Sequence, residues 1–403
     1  MDPKIKTRAT TMNSFSSILL AKGARVFVLG LTSIMTPIYI LILGYSAFYV
    51  GLALAVIIGG NIFSNILLTW YGTTIGIRRA LLFFSVLMFV SGLILFATTF
   101  LPLILLACFV GNISTTGTEA GPFQSIETGV LPMFVPERTG RAFGIYNVVG
   151  YVSSAVGALA ASVPSYFQNR LASFHYLYLI YGLVGLVLLV VYWRLRNLDS
   201  TYSQDPTIER KTQGIRKTAM QDIRKLSILY GVDAFGGGFV SQSLLSTWFF
   251  LVYKVSLADL GYIFFLVNAI TAISIFVAPL LAERMGNLRT MVFTHLISDV
   301  FLIAIPLAGS VIPALLFLFL RQSVSQMDVP TRQTFMVEIF ESNERVTANA
   351  ITNTSRSIAS IFGSPITGAL FAAGFISIPI VSGGLSKIAY DIAIFFSYRR
   401  RTS

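Results

Sequence analysis

Asp328 and Arg332 stand four residues apart, with Pro330 between them, just beyond a run from Val311 to Leu320 that holds no charge. At that spacing an acid and a base share one face of a helix. An ionisable side chain inside a lipid bilayer is costly, so by default it marks a substrate or ion site. The same logic singles out Glu119 and Glu127 in one apolar run, Asp233 just before Gly236-Gly237-Gly238, and Arg25, Arg321 and Arg356 in other apolar runs. Two chemistries are open to them. A buried carboxylate resists ionisation and can trade a proton near neutral pH, and Glu119, the deeper of its pair, is placed to do so. A guanidinium can hold an anion through charge-assisted hydrogen bonds. Arg321 lies about two turns before Asp328 on a similar face.

Other charges have plainer expected roles. His295 with Asp299, and Lys387 with Asp391, each stand four residues apart, and each pair is expected to neutralise itself so that its helix can insert. Glu127, nearer a helix end than Glu119, is expected to be solvated. Pro330, read as interior to its helix, is expected to free a carbonyl on the preceding turn. The glycines after Asp233 are expected to loosen that helix, allowing a kink or a close helix approach, and an acid beside a broken helix is a recurring substrate or ion site. With one cysteine, Cys108, and two histidines, His175 and His295, no metal site and no cofactor are expected.

The elements that hold these residues follow from composition. Of 403 residues 55% are hydrophobic and only 11% charged, against about 25% charged in soluble globular chains. The mean hydropathy is +0.77. Such a chain is a polytopic membrane protein. Its net charge of +12 does not indicate nucleic acid, because the basic residues fall in short loops between apolar runs. A span needs about 20 apolar residues, and about twelve such runs are present, six before and six after a basic stretch over 194–225. The expected division is a bundle over 1–193, a linker over 194–225 and a bundle over 226–403. One set of loops carries Arg78, Arg79, Arg138, Arg141, Arg284, Arg289, Arg345 and the Arg399-Arg400-Arg401 tail; the other carries only Arg170 and Lys254. The positive-inside rule then puts both termini and the linker in the cytoplasm.

The two halves repeat. Gly76-Ile77-Arg78-Arg79 corresponds to Gly286-Asn287-Leu288-Arg289, each before the third span of its half. Gly121-Pro122-Phe123-Gln124 corresponds to Val329-Pro330-Thr331-Arg332-Gln333, which adds Gln124 to the candidates. Pro136-Glu137-Arg138 corresponds to Glu344-Arg345, and Gly157-Ala158 to Gly363-Ser364. A duplicated six-span unit accounts for matches that recur in one order, and parallel repeats of this kind are a mark of transporters.

On these motifs the chain resembles the major facilitator superfamily over essentially its whole length. Leu281-Ala282-Glu283-Arg284-Met285-Gly286 is similar to that family's loop signature, with Glu in place of Asp; the first-half copy has Thr73-Thr74 where Asp-Arg is expected. Within the family it resembles a group of prokaryotic permeases, a likeness that names no substrate. The resemblance implies an all-α membrane fold of about twelve helices in two pseudo-symmetric six-helix bundles. It places the first, fourth, seventh and tenth spans around the substrate. It also implies that Arg78, Arg79, Glu283, Arg284 and Arg289 gate alternating access on the cytoplasmic side.

The expected function is secondary active transport of a small molecule, coupled to protons through Glu119, Asp233 or Asp328. Export of amphipathic compounds comes first and uptake of a small organic anion second. A non-transporting receptor or scaffold is the alternative of another class. No nucleotide-binding Gly-rich Lys-Ser/Thr loop and no His-Glu-x-x-His motif is present, so no enzyme is expected. The expected setting is the cell membrane, with the chain a monomer whose partners are its solute, protons and lipid.

Overall fold

Long apolar runs leave the backbone one way to satisfy its polar groups in lipid, which is to form helices. The computed structural model describes residues 3–118, 121–134, 139–195, 216–341 and 344–400, and the regular structure among them is helical. The first series is α1 (Pro3–Ile42), α2 (Ala47–Ile75), α3 (Ile77–Ala97), α4 (Leu101–Val110), α5 (Pro122–Phe134), α6 (Thr139–Ala160) and α7 (Arg170–Arg194). The second is α8 (Lys217–Gly238), α9 (Gln242–Tyr253), α10 (Leu257–Met285), α11 (Asn287–Leu307), α12 (Val311–Ser325), α13 (Asp328–Ile339), α14 (Arg345–Ala372) and α15 (Ile378–Tyr398).

Among the described residues nine helical stretches are long and apolar enough to cross a membrane, the broken pair α8–α9 counting as one. The remaining expected spans are the broken pairs α4–α5 and α12–α13, and α14, whose first half is rich in Thr, Asn and Ser. This is the twelve-span, all-α architecture. The chain divides into two compact units. Unit 1 holds Met1–Gly44, Val56–Pro206 and Ser256–Phe265, and unit 2 holds Tyr45–Ala55, Thr207–Val255 and Leu266–Ser403.

Each unit is built the same way. In unit 1, α1 lies along α6 and α3 along α7; in unit 2, α8 lies along α14 and α11 along α15. Glycine makes the first contact of each set possible. A Cβ on Gly157 would stand 1.9 Å from the Phe27 carbonyl oxygen, and one on Gly363 would stand 2.4 Å from the Gly238 carbonyl carbon. Small residues are what allow helix backbones to meet this closely. The matched loop glycines also agree in backbone shape. Gly76 (φ 91°) and Gly286 (φ 83°) cap the N-termini of α3 and α11 in a region that favours glycine.

The structure corrects two expectations about the helices and bears out a third. The fourth span is not one long helix, because α4 ends at Val110 and α5 begins at Pro122. Pro330 is not interior. It is the third residue of α13, where no intrahelical acceptor awaits its missing N–H, and the break lies before it at Gln326 and Met327. The glycines after Asp233 end α8, with α9 beginning at Gln242, and they serve the expected close approach, since a Cβ on Gly236 would stand 2.8 Å from the Gly383 carbonyl oxygen and one on Gly238 2.6 Å from that of Ser360.

Candidate functional site

Among the described residues of unit 1 the buried charges are Lys22, which lies over the Tyr146 ring at 4.3 Å, Arg25 and Glu127. Arg25 on α1 donates to Glu127 on α5 through Nη2 at 2.6 Å and Nη1 at 3.2 Å. Tyr192 and Tyr146 also donate to Glu127, at 2.6 and 2.8 Å. The guanidinium covers the Phe123 ring at 4.7 Å. Glu127 is fully buried, which overturns its expected solvation. A buried carboxylate persists only with its charge paired and its lone pairs occupied, and α1, α6 and α7 supply those partners. Gln124 is half-buried on α5 and takes no part in this network. Glu119 lies outside the described residues.

Unit 2 gathers many more charges around one acid. Asp233 on α8 is 3% exposed. Its Oδ1 accepts from Lys387 Nζ on α15 at 2.7 Å, and its Oδ2 accepts from Arg356 Nη1 on α14 at 3.2 Å. Arg332 Nη1 on α13 stands 3.8 Å from the same Oδ2 and donates to Asp328 at 2.9 Å. The Asp328–Arg332 pair therefore forms as its spacing implies, at the N-terminus of α13, where a carboxylate is favoured by the helix dipole. Tyr230 lies beneath both guanidinium groups, 5.7 Å from Arg332 and 5.9 Å from Arg356.

Of the two expected self-neutralising pairs, His295 and Asp299 do meet, at 3.4 Å, while Lys387 turns to Asp233, and the two pairs are joined across helices. Lys387 reaches Asp233 and also donates to His295 Nε2 at 3.0 Å. An ammonium can only donate, so Nε2 accepts and the ring hydrogen sits on Nδ1. That nitrogen faces both oxygens of Asp391 at 3.0 Å and Asp299 Oδ2 at 3.4 Å. Two i, i+4 pairs of ionisable residues, one in the ninth span and one in the twelfth, were the available sequence signal. What could not be read was that α11 and α15 pack together and exchange partners. Arg321 does not join Asp328 and Arg332 on a shared face. Its Nη1 donates to Gln322 Oε1 at 3.2 Å, and Gln322 donates to Thr271 at 2.5 Å.

The loop candidates divide. Arg78 donates to the carbonyls of Tyr192 and Trp193 at 3.4 and 2.7 Å, and so caps the C-terminus of α7. Arg79, Glu283, Arg284 and Arg289 are exposed. A further clamp, unmarked in the sequence reading, precedes α8. Arg216 donates to Glu344 through Nε and Nη2, both at 2.8 Å, and pairs with Glu341 at 2.9 Å. These bonds hold the Glu344 carboxyl down to about 2 and push the Arg216 guanidinium up.

Paired repeats, broken spans with charges beside the breaks, and a buried acid shared among several bases define a secondary transporter. The chain belongs to the Major Facilitator Superfamily, whose family model matches residues 18–325. It is 24% identical to the Uncharacterized membrane protein YJR124C of Saccharomyces cerevisiae over 92% of this chain and 90% of that one. Its fold is similar to that of the nucleoside transporter NupG, with a TM-score of 0.74 at 11% identity over 96% of this chain and 99% of that one. It is similar also to the inward-open xylose transporter XylE from E. coli, with a TM-score of 0.71 at 14% identity over 96% of each chain. The protein is a membrane transporter of a small molecule and not an enzyme.

Proposed function

We propose that this transporter moves a small organic anion together with a proton, and that the cluster around Asp233 couples the two. One observation carries this reading. Asp233 takes Lys387 and Arg356 directly and has His295 at 3.7 Å and Arg332 at 3.8 Å, so one carboxylate is shared among three cations and an imidazole. The Arg332 and Arg356 side chains keep 15% and 26% of their surface exposed, while that of Asp233 keeps 4%. An arriving carboxylate or phosphate can take the guanidinium groups by paired, charge-assisted hydrogen bonds. Asp233 then loses part of its compensation, and a buried carboxylate with fewer cations binds a proton more readily. Substrate and proton thus load together, and a ligand that binds one conformation better than the other shifts the population between them.

Asp328 holds Arg332 in place between cycles, and Glu119 and Gln124 remain candidates on the first half. Arg78, Arg79, Glu283, Arg284 and Arg289 are proposed to bias the alternation from the loops. The two halves, 1–193 and 226–403, rock about the solute as a monomer in the cell membrane, with both termini cytoplasmic. Export of amphipathic compounds is supported by the apolar composition alone, and no described group in the cluster favours it.

The test is flux in proteoliposomes of purified protein. Labelled organic anions are offered under an imposed inward proton gradient. Uptake that needs the gradient, and that Arg356→Ala or Arg332→Ala abolishes, supports the reading. Export of a hydrophobic cation that survives both substitutions, with no anion uptake by the unaltered protein, contradicts it.

A further inference from the structure

Beside the Asp233 cluster, α11 and α15 enclose a second set of groups that the transport reading does not use. His295 Nδ1, a carboxylate oxygen of Asp299 and one of Asp391 lie within 4.8 Å of one another. Both carboxylates are fully buried and His295 is 4% exposed. The ring hydrogen on Nδ1 is a single donor, and Asp391 takes it with both oxygens at 3.0 Å. Asp299 is left over. Among the described residues neither of its oxygens has a hydrogen-bond partner, and its nearest base is the same Nδ1 at 3.4 Å. One proton on one imidazole cannot satisfy two carboxylates, and a buried carboxylate without a donor is among the costliest groups a protein can hold.

We infer that His295, Asp299 and Asp391 bind a divalent transition-metal ion as a resident of the second bundle. Three ligand atoms around one cation at bonds of about 2.0–2.2 Å stand about 3.0–3.4 Å from one another. The separations from Nδ1, 3.0 Å to Asp391 and 3.4 Å to Asp299, match that spacing, and the two carboxylates lie within 4.8 Å of each other. One dication balances two carboxylates and supplies Asp299 with the partner it lacks. The donor set chooses the metal. Imidazole nitrogen with carboxylate oxygen suits Zn²⁺, Mn²⁺ or Fe²⁺, whereas the lack of thiolate or thioether disfavours Cu⁺ and the imidazole disfavours Ca²⁺ and Mg²⁺.

Loading has a consequence next door. An ion on Nδ1 moves the ring hydrogen to Nε2, which faces Asp233 Oδ1 at 3.7 Å. Metal-bound histidines commonly give their other N–H to a carboxylate. Lys387 keeps Asp233 and releases the ring. The bound ion thereby reaches the Asp233 cluster through His295, though no step of transport depends on it.

The experiment counts metal on the purified full chain. The protein is stripped with a chelator, loaded with Zn²⁺, desalted and measured by mass spectrometry of the metal. About one Zn²⁺ per chain is expected in the unaltered protein, with a loss of tenfold or more in the isosteric Asp299→Asn and Asp391→Asn variants. Retention by the exposed control Glu283→Gln should equal that of the unaltered protein. A second readout needs no variant: Co²⁺ bound to the unaltered protein should give the visible absorption of a low-coordinate nitrogen and oxygen site, and Zn²⁺ should abolish it. No retained metal with no Co²⁺ absorption overturns the inference, as does retention unchanged in Asp299→Asn. The count requires no flux, so it fails or succeeds apart from the transport reading.

Discussion

The two halves of this transporter solve the same packing problem and handle charge in opposite ways. Arg25 precedes Gly30 by five residues, and Asp233 precedes Gly238 by five, with each glycine meeting the partner helix of its own unit. A base thus stands in the first half at the position where an acid stands in the second. Arg25 meets one carboxylate, and two tyrosine hydroxyls complete that carboxylate's shell. Asp233 meets Lys387 and Arg356 with Arg332 nearby, and each of those or its neighbours leads to another charge. Among the described residues the first arrangement pairs one base with one acid. The second is shared, so a new ligand or proton can redistribute it.

The largest expected effect tests the closed pair. Glu127→Ala leaves Arg25 buried beside two hydroxyls and should cost about 3–5 kcal/mol of stability. Replacing both, as Arg25→Met with Glu127→Met, should recover most of that loss, since a paired charge and a fitted apolar pair are often close in energy. Denaturant unfolding of the detergent-solubilised protein measures both. A double variant as unstable as the single one would mean that the pair is not closed.

Glycine packing gives the next effect, and it should be equal in the two halves. Gly157→Val and Gly363→Val each force side-chain atoms into a facing backbone, at a cost of at least the 1–3 kcal/mol typical of overpacking. Melting temperatures of the two purified variants would show whether the repeat extends to energetics; a large effect in one half alone would break the correspondence.

The smallest effect belongs to the clamp before α8. Glu344 is held at about 2, below its ordinary value of 4.5, by Arg216. A depressed carboxylate contributes stability that is full above the ordinary value and is lost as pH falls through the folded one. The difference in melting temperature between the unaltered protein and Glu344→Gln should stay constant from neutral pH to about 5 and shrink between about 4.5 and 2. Because the Arg216 side chain is half exposed, high salt should reduce the same difference. A difference that grows on acidification would refute the clamp.

How far the sequence carried depends on what each feature requires. The spans were legible because twenty apolar residues in a row have one use, and the repeat was legible because Gly76 and Gly286, or Gly157 and Gly363, keep their type where backbone shape or contact demands it. The Asp328–Arg332 pair was legible because both residues lie on one helix. Partners on different helices were not. Lys387 with Asp233, His295 with Asp391 and Arg25 with Glu127 depend on helix rotation and depth, and four-residue spacing pointed Lys387 to Asp391 instead of Asp233 and gave His295 only one of its two carboxylates. The breaks after Val110 and at Gln326–Met327 did leave a sign, since Gly-Asn-Ile-Ser-Thr-Thr-Gly-Thr over 111–118 and Gln-Ser-Val-Ser-Gln over 322–326 are rich in turn-forming and polar residues, but the apolar runs on either side were read as continuous spans.

The central claim is that Asp233 couples anion to proton, and the most direct measurement is proton movement itself. Purified protein is placed in liposomes that enclose a pH-sensitive dye, and an organic anion shown to be carried is added outside. The account predicts internal acidification that tracks anion entry, disappears in Asp233→Asn, and persists in the Arg25→Met, Glu127→Met double variant. Anion entry with no acidification, or acidification undiminished in Asp233→Asn, would contradict it.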